Sequence, residues 1–266
     1  MTQSQTGTLV DYERDGEIVT LTLNRPDKLN AFNDELVGAL SDALHRFDME
    51  DEAQIAIITG RGRAFSSGAD VKQRQLRSRE EFLRLGGPQG RGTHSADLLT
   101  RSVNWKPVIA APHGYVLGLS VGIVLECDLI VAEEGTRFQI TETSRGLGAG
   151  RYWGIMQFRG GGAFAMEAAL AGRYFTAEEA LAANLINRVA PKGRYLDMAR
   201  ELARDVVKNP PLSVRSTVRT RRWYMDRMTR EIMHQTAPER LYLSEDFQEA
   251  ARAFTEKRKP AKFKGR

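Results

Sequence analysis

Two stretches of the chain carry residues able to hold an anionic oxygen. GRAFSSGADVK, residues 62 to 72, is a loop of glycine and small residues directly after a short apolar run, where backbone can approach a ligand closely at little steric cost. PHGYVLGLSVG, residues 112 to 122, ends one apolar segment and opens another. Gly114 and Gly118 permit tight geometry there, and the helix that begins presents free N–H groups. One backbone donor from each loop is what an enolate oxygen requires, because pre-organised N–H dipoles in a dry site stabilise charge that develops during reaction. Either loop alone reads equally as an ordinary glycine turn; their joint occurrence points to an oxyanion hole.

The elements that must position these loops are legible from periodicity. EIVTLTLN (17 to 24) alternates Val19, Leu21 and Leu23 with polar residues, the period of a half-buried strand. After Asn33, a good helix cap, Leu36, Leu40, Ala43, Leu44 and Phe47 recur at helical spacing and predict a helix over 34 to 47. AQIAIITG is short, apolar and β-branched, a buried strand. The order repeats with KPVIAAPHG (106 to 114), GLSVGIVLE (118 to 126) and DLIVAEE (128 to 134), so the N-terminal half is α/β. Beyond about residue 150 the patterns are mainly helical, with INRVA (186 to 190) as a strand candidate. Glycine clusters punctuate the chain at 86 to 92, 146 to 150 and 160 to 162, the first reading as a mobile surface loop.

Bulk composition narrows the function classes. The 266 residues are 41% hydrophobic and 27% charged, and no apolar run approaches a membrane span. The N-terminus lacks the basic start, apolar middle and small-residue cleavage site of a secretory signal, so a cytoplasmic location is expected. Cys127 is the single cysteine and His45, His94, His113 and His234 are scattered, which argues against an intrachain disulfide and a zinc site. The net charge of +5 has part of its source in the final ten residues, KRKPAKFKGR, where six are basic, and part in Arg215, Arg219, Arg221 and Arg222. Such a tail is a solvated face or a partner for phosphates. No aromatic-interleaved basic sheet motif accompanies it, so no nucleic-acid partner is expected.

Taken together, NRPDKLNAF, GRAFSSGADVK, HGYVLGLSVGIVLECDLIVA, TAEEAL with AANLINRVAP, and AFTEKRKPAKFKGR resemble the crotonase (enoyl-CoA hydratase/isomerase) superfamily in order and spacing, from about residue 9 to the end. The resemblance implies an α/β fold, a crotonase-like spiral of ββα units over residues 1–195, and a C-terminal helical trimerisation region over 196–266. It also implies an acyl-CoA thioester substrate, no cofactor beyond the coenzyme A that is part of that substrate, and a homotrimer or homohexamer. Carried over by position, the N–H groups of Ala69 and Leu119 form the oxyanion hole. Lys28, Ala64, Phe65, Gly68 and Asp70 surround coenzyme A, with Phe254 and Lys257 contacting it from the C-terminal helix.

Two departures shape the functional expectation. Similar hydratases use two glutamates: the first position falls at Gly122 and is missing, whereas the second is kept as Glu142, four residues after Phe138. Leu119 stands where such enzymes usually carry glycine, which places bulk beside the thioester. Water addition is easiest with two carboxylates, while moving a double bond needs one base that takes a proton from one carbon and returns it to another. The expectation is therefore an isomerase-type proton transfer by Glu142, with burial raising its pKa. The alternatives are a hydratase with a non-standard second acid/base, and a silent acyl-CoA or RNA-binding member. Ser120, Tyr115, His94 or Arg145 could orient a water; their structural readings are helix capping, core packing and, for the last two, loop solvation. After Glu142, Arg145, Arg151, Tyr152 and Trp153 are unusual for the family and would line an acyl pocket of altered shape.

Overall fold

The computed structural model describes residues 8–88 and 98–266. Its first strands form a hairpin: β1 (Val10–Asp15) runs antiparallel to β2 (Ile18–Leu23) through the Asp15-Gly16 turn, with Gly16 at φ 58°. The strand β1 escapes simple periodicity because its second half is Glu13, Arg14 and Asp15, all exposed. Charged side chains on an edge strand discourage pairing with another chain. The helix α1 (Asp34–Met49) follows, its cap made by Asn33, whose side chain accepts from the Leu36 N–H at 3.0 Å. Then β3 (Ile55–Gly60) enters the sheet with all six positions buried, which explains its unbroken apolar run.

Two short helices, α2 (Val71–Arg74) and α3 (Arg79–Leu85), lead to residue 88. Of the expected loop over 86 to 92, residues 89 to 92 lie outside the described residues, as does His94. The chain continues through β4 (Val108–Ala110), β5 (Tyr115–Leu117), α4 (Leu119–Glu126), β6 (Leu129–Glu133) and β7 (Arg137–Gln139). Next come α5 (Gly150–Arg159), α6 (Gly162–Ala171), β8 (Tyr174–Thr176), α7 (Ala177–Ala182) and β9 (Arg188–Ala190). The helices α8 (Tyr195–Val207), α9 (Pro211–Thr236) and α10 (Glu245–Thr255) complete it.

One sheet has the order β1-β2-β3-β4-β6-β9, parallel from β2 onward; a smaller one, β5-β7-β8, stands beside it. Period-two alternation on β3 divides the core. Ala56 and Ile58 face the main cluster with α1 and α4, whereas Ile55 and Ile57 join Ile109, Val131, Ala199 and Ala203 under α8. The helix α4 is buried at every one of its eight positions, so it needs no amphipathic pattern.

The long helix α9 is tied to this core by a cation. Arg222, 1% exposed, pairs with Asp128 and donates to the carbonyl oxygens of Lys106 (2.9 Å) and Leu99 (3.3 Å). Arg221 adds a bond to the Glu126 carbonyl at 3.1 Å. The basic cluster noted in the sequence is thus in part structural. No helix among the described residues is long and apolar enough to cross a membrane.

Candidate active site

The two glycine loops are zipped together by main-chain bonds. Ser66 N–H donates to Tyr115 O (3.1 Å), and Leu117 N–H donates to Ser66 O (3.1 Å). The buried Ser120 hydroxyl straps the junction, donating to Leu117 O at 2.9 Å and Ser66 O at 3.1 Å, so it already has its partners within the fold. Gly68, at φ 89°, makes the close approach: a Cβ there would lie 2.4 Å from Leu117 O and 3.5 Å from Leu119 N. On its other side the loop bridges to Phe32, with Phe32 N–H donating to Gly68 O (2.7 Å) and Asp70 N–H to Phe32 O (2.9 Å). That alternation turns the N–H of Ala69 away from Phe32. The N–H of Leu119 is the first of α4 and has no intrahelical acceptor by position. Ala69 and Leu119 line the same cavity of about 480 Å³. Leucine at 119 brings no backbone strain, because Gly118 carries the positive φ (49°) and Leu119 is already helical.

Glu142 joins them from the other sheet. It follows β7, where Phe138 is buried and stacked on Phe175 at 5.4 Å, and it opens a 3₁₀ turn over Thr143–Arg145. Its carbonyl oxygen accepts from Arg145 N–H and Leu147 N–H, both at 2.9 Å, which fixes the backbone that projects the side chain. A Cβ on Gly118 would lie 2.5 Å from Thr141 Oγ1 and 3.5 Å from Glu142 Oε1, so glycine lets the carboxylate stand against the start of α4.

The two carboxylate oxygens differ. Oε1 accepts from the Tyr152 hydroxyl at 2.5 Å, while Oε2 is buried and has no hydrogen-bond partner. Burial raises the Glu142 pKa, opposed by the Tyr152 bond, backbone donors and the Arg151 charge. Burial and then the Glu142 charge push the Tyr152 phenol well above its ordinary value, so it stays a donor.

What stands in place of a carboxylate at 122 is a pair of side chains from α5. A Cβ on Gly122 would lie 3.2 Å from Arg151 Nη1 and 3.3 Å from Tyr152 Cε1. Arg151 forms a buried ion pair with Glu126, one turn further along α4. Burial works against its charge, but Glu126, Tyr152 and Glu142 together outweigh this and the pKa is raised. Trp153, grouped with these two in the sequence, packs partly buried against the hydrophobic core, whereas Arg151 and Tyr152 line the cavity. Tyr115 is not a core residue as its packing reading required: β5 turns its side chain outward, 38% exposed. Arg145 stacks on the Phe254 ring at 3.6 Å rather than being solvated in a loop.

The residues assigned to coenzyme A occupy two places. Ala64 and Phe65 are buried at the base of the 61–70 loop; Ala64 O accepts from Asn30 Nδ2 at 2.9 Å and Phe65 N–H donates to His113 O at 2.9 Å. Lys28 lies exposed on the adjoining segment, whose Leu29 O accepts from Ser67 N–H at 2.9 Å. Asp70 caps α2 and pairs with Arg25 at 2.9 Å. Phe254 and Lys257 sit exposed at the far end of α10, a helix that packs on α2 and the 3₁₀ turn after Glu142.

Sequence reasoning placed Tyr152 in the acyl pocket but did not pair it with Glu142. The usable signal was compensation: a carboxylate lost at a helical position and bulky residues gained elsewhere in the same pocket.

An α/β spiral in which residues of two glycine loops and one buried glutamate line a single cavity is the arrangement of the crotonase class of thioester enzymes. The enoyl-CoA hydratase/isomerase family model matches residues 13–266. The chain is 34% identical over 213 residues to a putative enoyl-CoA hydratase of Thermus thermophilus, covering 79% of this chain and 81% of that one. It is also 34% identical over 250 residues to a mevalonyl-coenzyme A hydratase of Aspergillus fumigatus, with 91% and 90% covered. The crystal structure of an enoyl-CoA hydratase/isomerase from Pseudoalteromonas atlantica aligns with a TM-score of 0.81 at 27% identity, over 96% of this chain and 100% of that one. The chain therefore belongs to the enoyl-CoA hydratase/isomerase family, within the crotonase superfamily, and is an acyl-CoA-processing enzyme.

Proposed function

We propose that the enzyme moves a proton on the acyl group of an enoyl-CoA, with Glu142 as the single acid/base. The supporting observation is the asymmetry of that carboxylate: Oε1 is held by Tyr152 and Oε2 is buried without a partner beside the two donor loops. Oε2 takes the α-proton of a 3-enoyl thioester. The electron pair left behind delocalises to the thioester oxygen, where the N–H groups of Ala69 and Leu119 receive it. Glu142 then returns the proton at the γ-carbon, and the double bond has moved with no water consumed. Lys28, the 64–70 loop, Phe254 and Lys257 hold the coenzyme A portion, lysines meeting phosphates as point charges. The assembly is a homotrimer or homohexamer in the cytoplasm.

A second reading, hydration, is supported by the Tyr152 hydroxyl next to Glu142 and by the hydratase names of the two relatives. Incubation with 2-enoyl-CoA and 3-enoyl-CoA panels in deuterated water separates the two. Bond migration with deuterium uptake and no added water supports the isomerase; a product heavier by one water supports the hydratase. Glu142→Gln should lower either activity by about 10²–10⁴-fold while CoA affinity stays unchanged. Unaltered turnover in that variant refutes the role of Glu142. Thioester binding with no chemistry across the whole panel leaves a silent binding protein.

A further inference from the structure

Arg151 holds more hydrogen-bond donors than its surroundings use. Its side chain is 9% exposed, and Glu126 is bound through Nη2. Nε and Nη1 are buried with no partner. Of the five N–H groups of a guanidinium, the three on these two nitrogens are unmatched. Removing donors of a cationic group from water without an acceptor is costly, and a fold seldom leaves such a group without a use. Arg151 is a lining residue of the cavity that also holds Ala69, Leu119 and Glu142, and its unmatched nitrogens lie buried just behind that lining. Nη1 reaches to 3.2 Å from where a Gly122 Cβ would be, so the absent side chain at 122 is what gives the guanidinium its place.

A plain alkyl chain would lay methylene groups against these donors and leave them unmatched. Two further guanidiniums, Arg74 and Arg240, line the same cavity, against the carboxylates of Glu142 and Glu239. Arg74 is buried while its partner Asp34 is half exposed, so the cation is the member of that pair turned inward.

We propose that the acyl group carries a carboxylate, as in the coenzyme A monothioester of a short unsaturated dicarboxylic acid, and that Arg151 receives that carboxylate through Nε and Nη1. Glu126 keeps the guanidinium oriented when the cavity is empty. The inference rests on the acyl-CoA proton-transfer reading and specifies its substrate.

The test compares three enoyl-CoA thioesters of equal chain length that end in a carboxylate, a primary carboxamide or a methyl group, with the wild-type enzyme. The carboxylate should exceed both others in kcat/KM by at least about tenfold, the value of a hydrogen bond to a charged group. The double variant Glu126→Gln with Arg151→Met removes both charges together, avoiding a lone buried carboxylate, and should bring the three substrates within about threefold of one another. If that variant does not fold, the wild-type comparison decides alone. A carboxamide equal to the carboxylate, or a preferred methyl terminus, overturns the inference and leaves the proton-transfer reading standing. Absence of both double-bond migration and deuterium exchange in all three thioesters overturns both.

Discussion

Replacing Tyr152 with phenylalanine removes a single hydroxyl, the group that donates to Glu142 Oε1 at 2.5 Å. A hydrogen bond to an ionised group is worth about 1.5–3 kcal/mol, and 1.36 kcal/mol corresponds to one pKa unit. The bond favours the carboxylate over the acid, so its loss should raise the Glu142 pKa further. Burial already holds that pKa above the ordinary carboxylate value, and Tyr152 is the first of the groups opposing it. Glu142 acts as a base only when ionised, so the rate rises with pH through its pKa. In Tyr152→Phe this acid limb must move to higher pH. At neutral pH the rate should fall by up to about 10–100-fold, and it should recover as the pH is raised. The assay follows double-bond migration in a 3-enoyl-CoA from pH 5 to about 9.5 for both proteins. Recovery at high pH separates a change in titration from damage to packing, which alkali would not repair. An acid limb that stays in place or moves down would refute the account of Glu142.

Gly68→Ala should cost about 10²–10³-fold in kcat, the usual effect of losing one oxyanion donor, because its Cβ would meet Leu117 O at 2.4 Å and force the loops apart. Gly193→Ala has a comparable φ of 77° and nothing within 4 Å; it should lower stability by about 1–2 kcal/mol and leave kcat untouched. Equal kcat in the two variants would contradict the close-approach argument. Arg222→Met leaves Asp128 buried without its closest cation and should destabilise the protein by about 3–5 kcal/mol. Calorimetry should then show Tm lower by roughly 6–20 °C, and a change under 2 °C would mean that α9 is held by its apolar contacts alone.

The repeating pattern of this fold was legible because burial imposes local periods. Ile55–Gly60 reads as a strand inside the sheet, and Asn33 followed by leucines at helical spacing reads as a capped helix. Elements whose stability is tertiary were less visible. The strands of the small sheet are three residues each and are defined by their pairing. The helix α5 begins among glycines, and the sequence presents Gly150 and its neighbours as punctuation. The bond from Tyr152 to Glu142 was therefore not legible, since it forms only because α5 packs against α4.

The sequence by itself determined the family, the two glycine loops and the positions of Glu142 and Gly122, since all are matters of residue type and order. It could not say what fills the room left at Gly122. Tertiary structure decided that Arg151 and Tyr152 occupy it, that one oxygen of Glu142 is tied and the other without a partner, and that Arg151 keeps buried, unmatched donors. The reason is physical: these properties depend on distances of a few ångströms between helices far apart in the chain, and no local pattern encodes such distances.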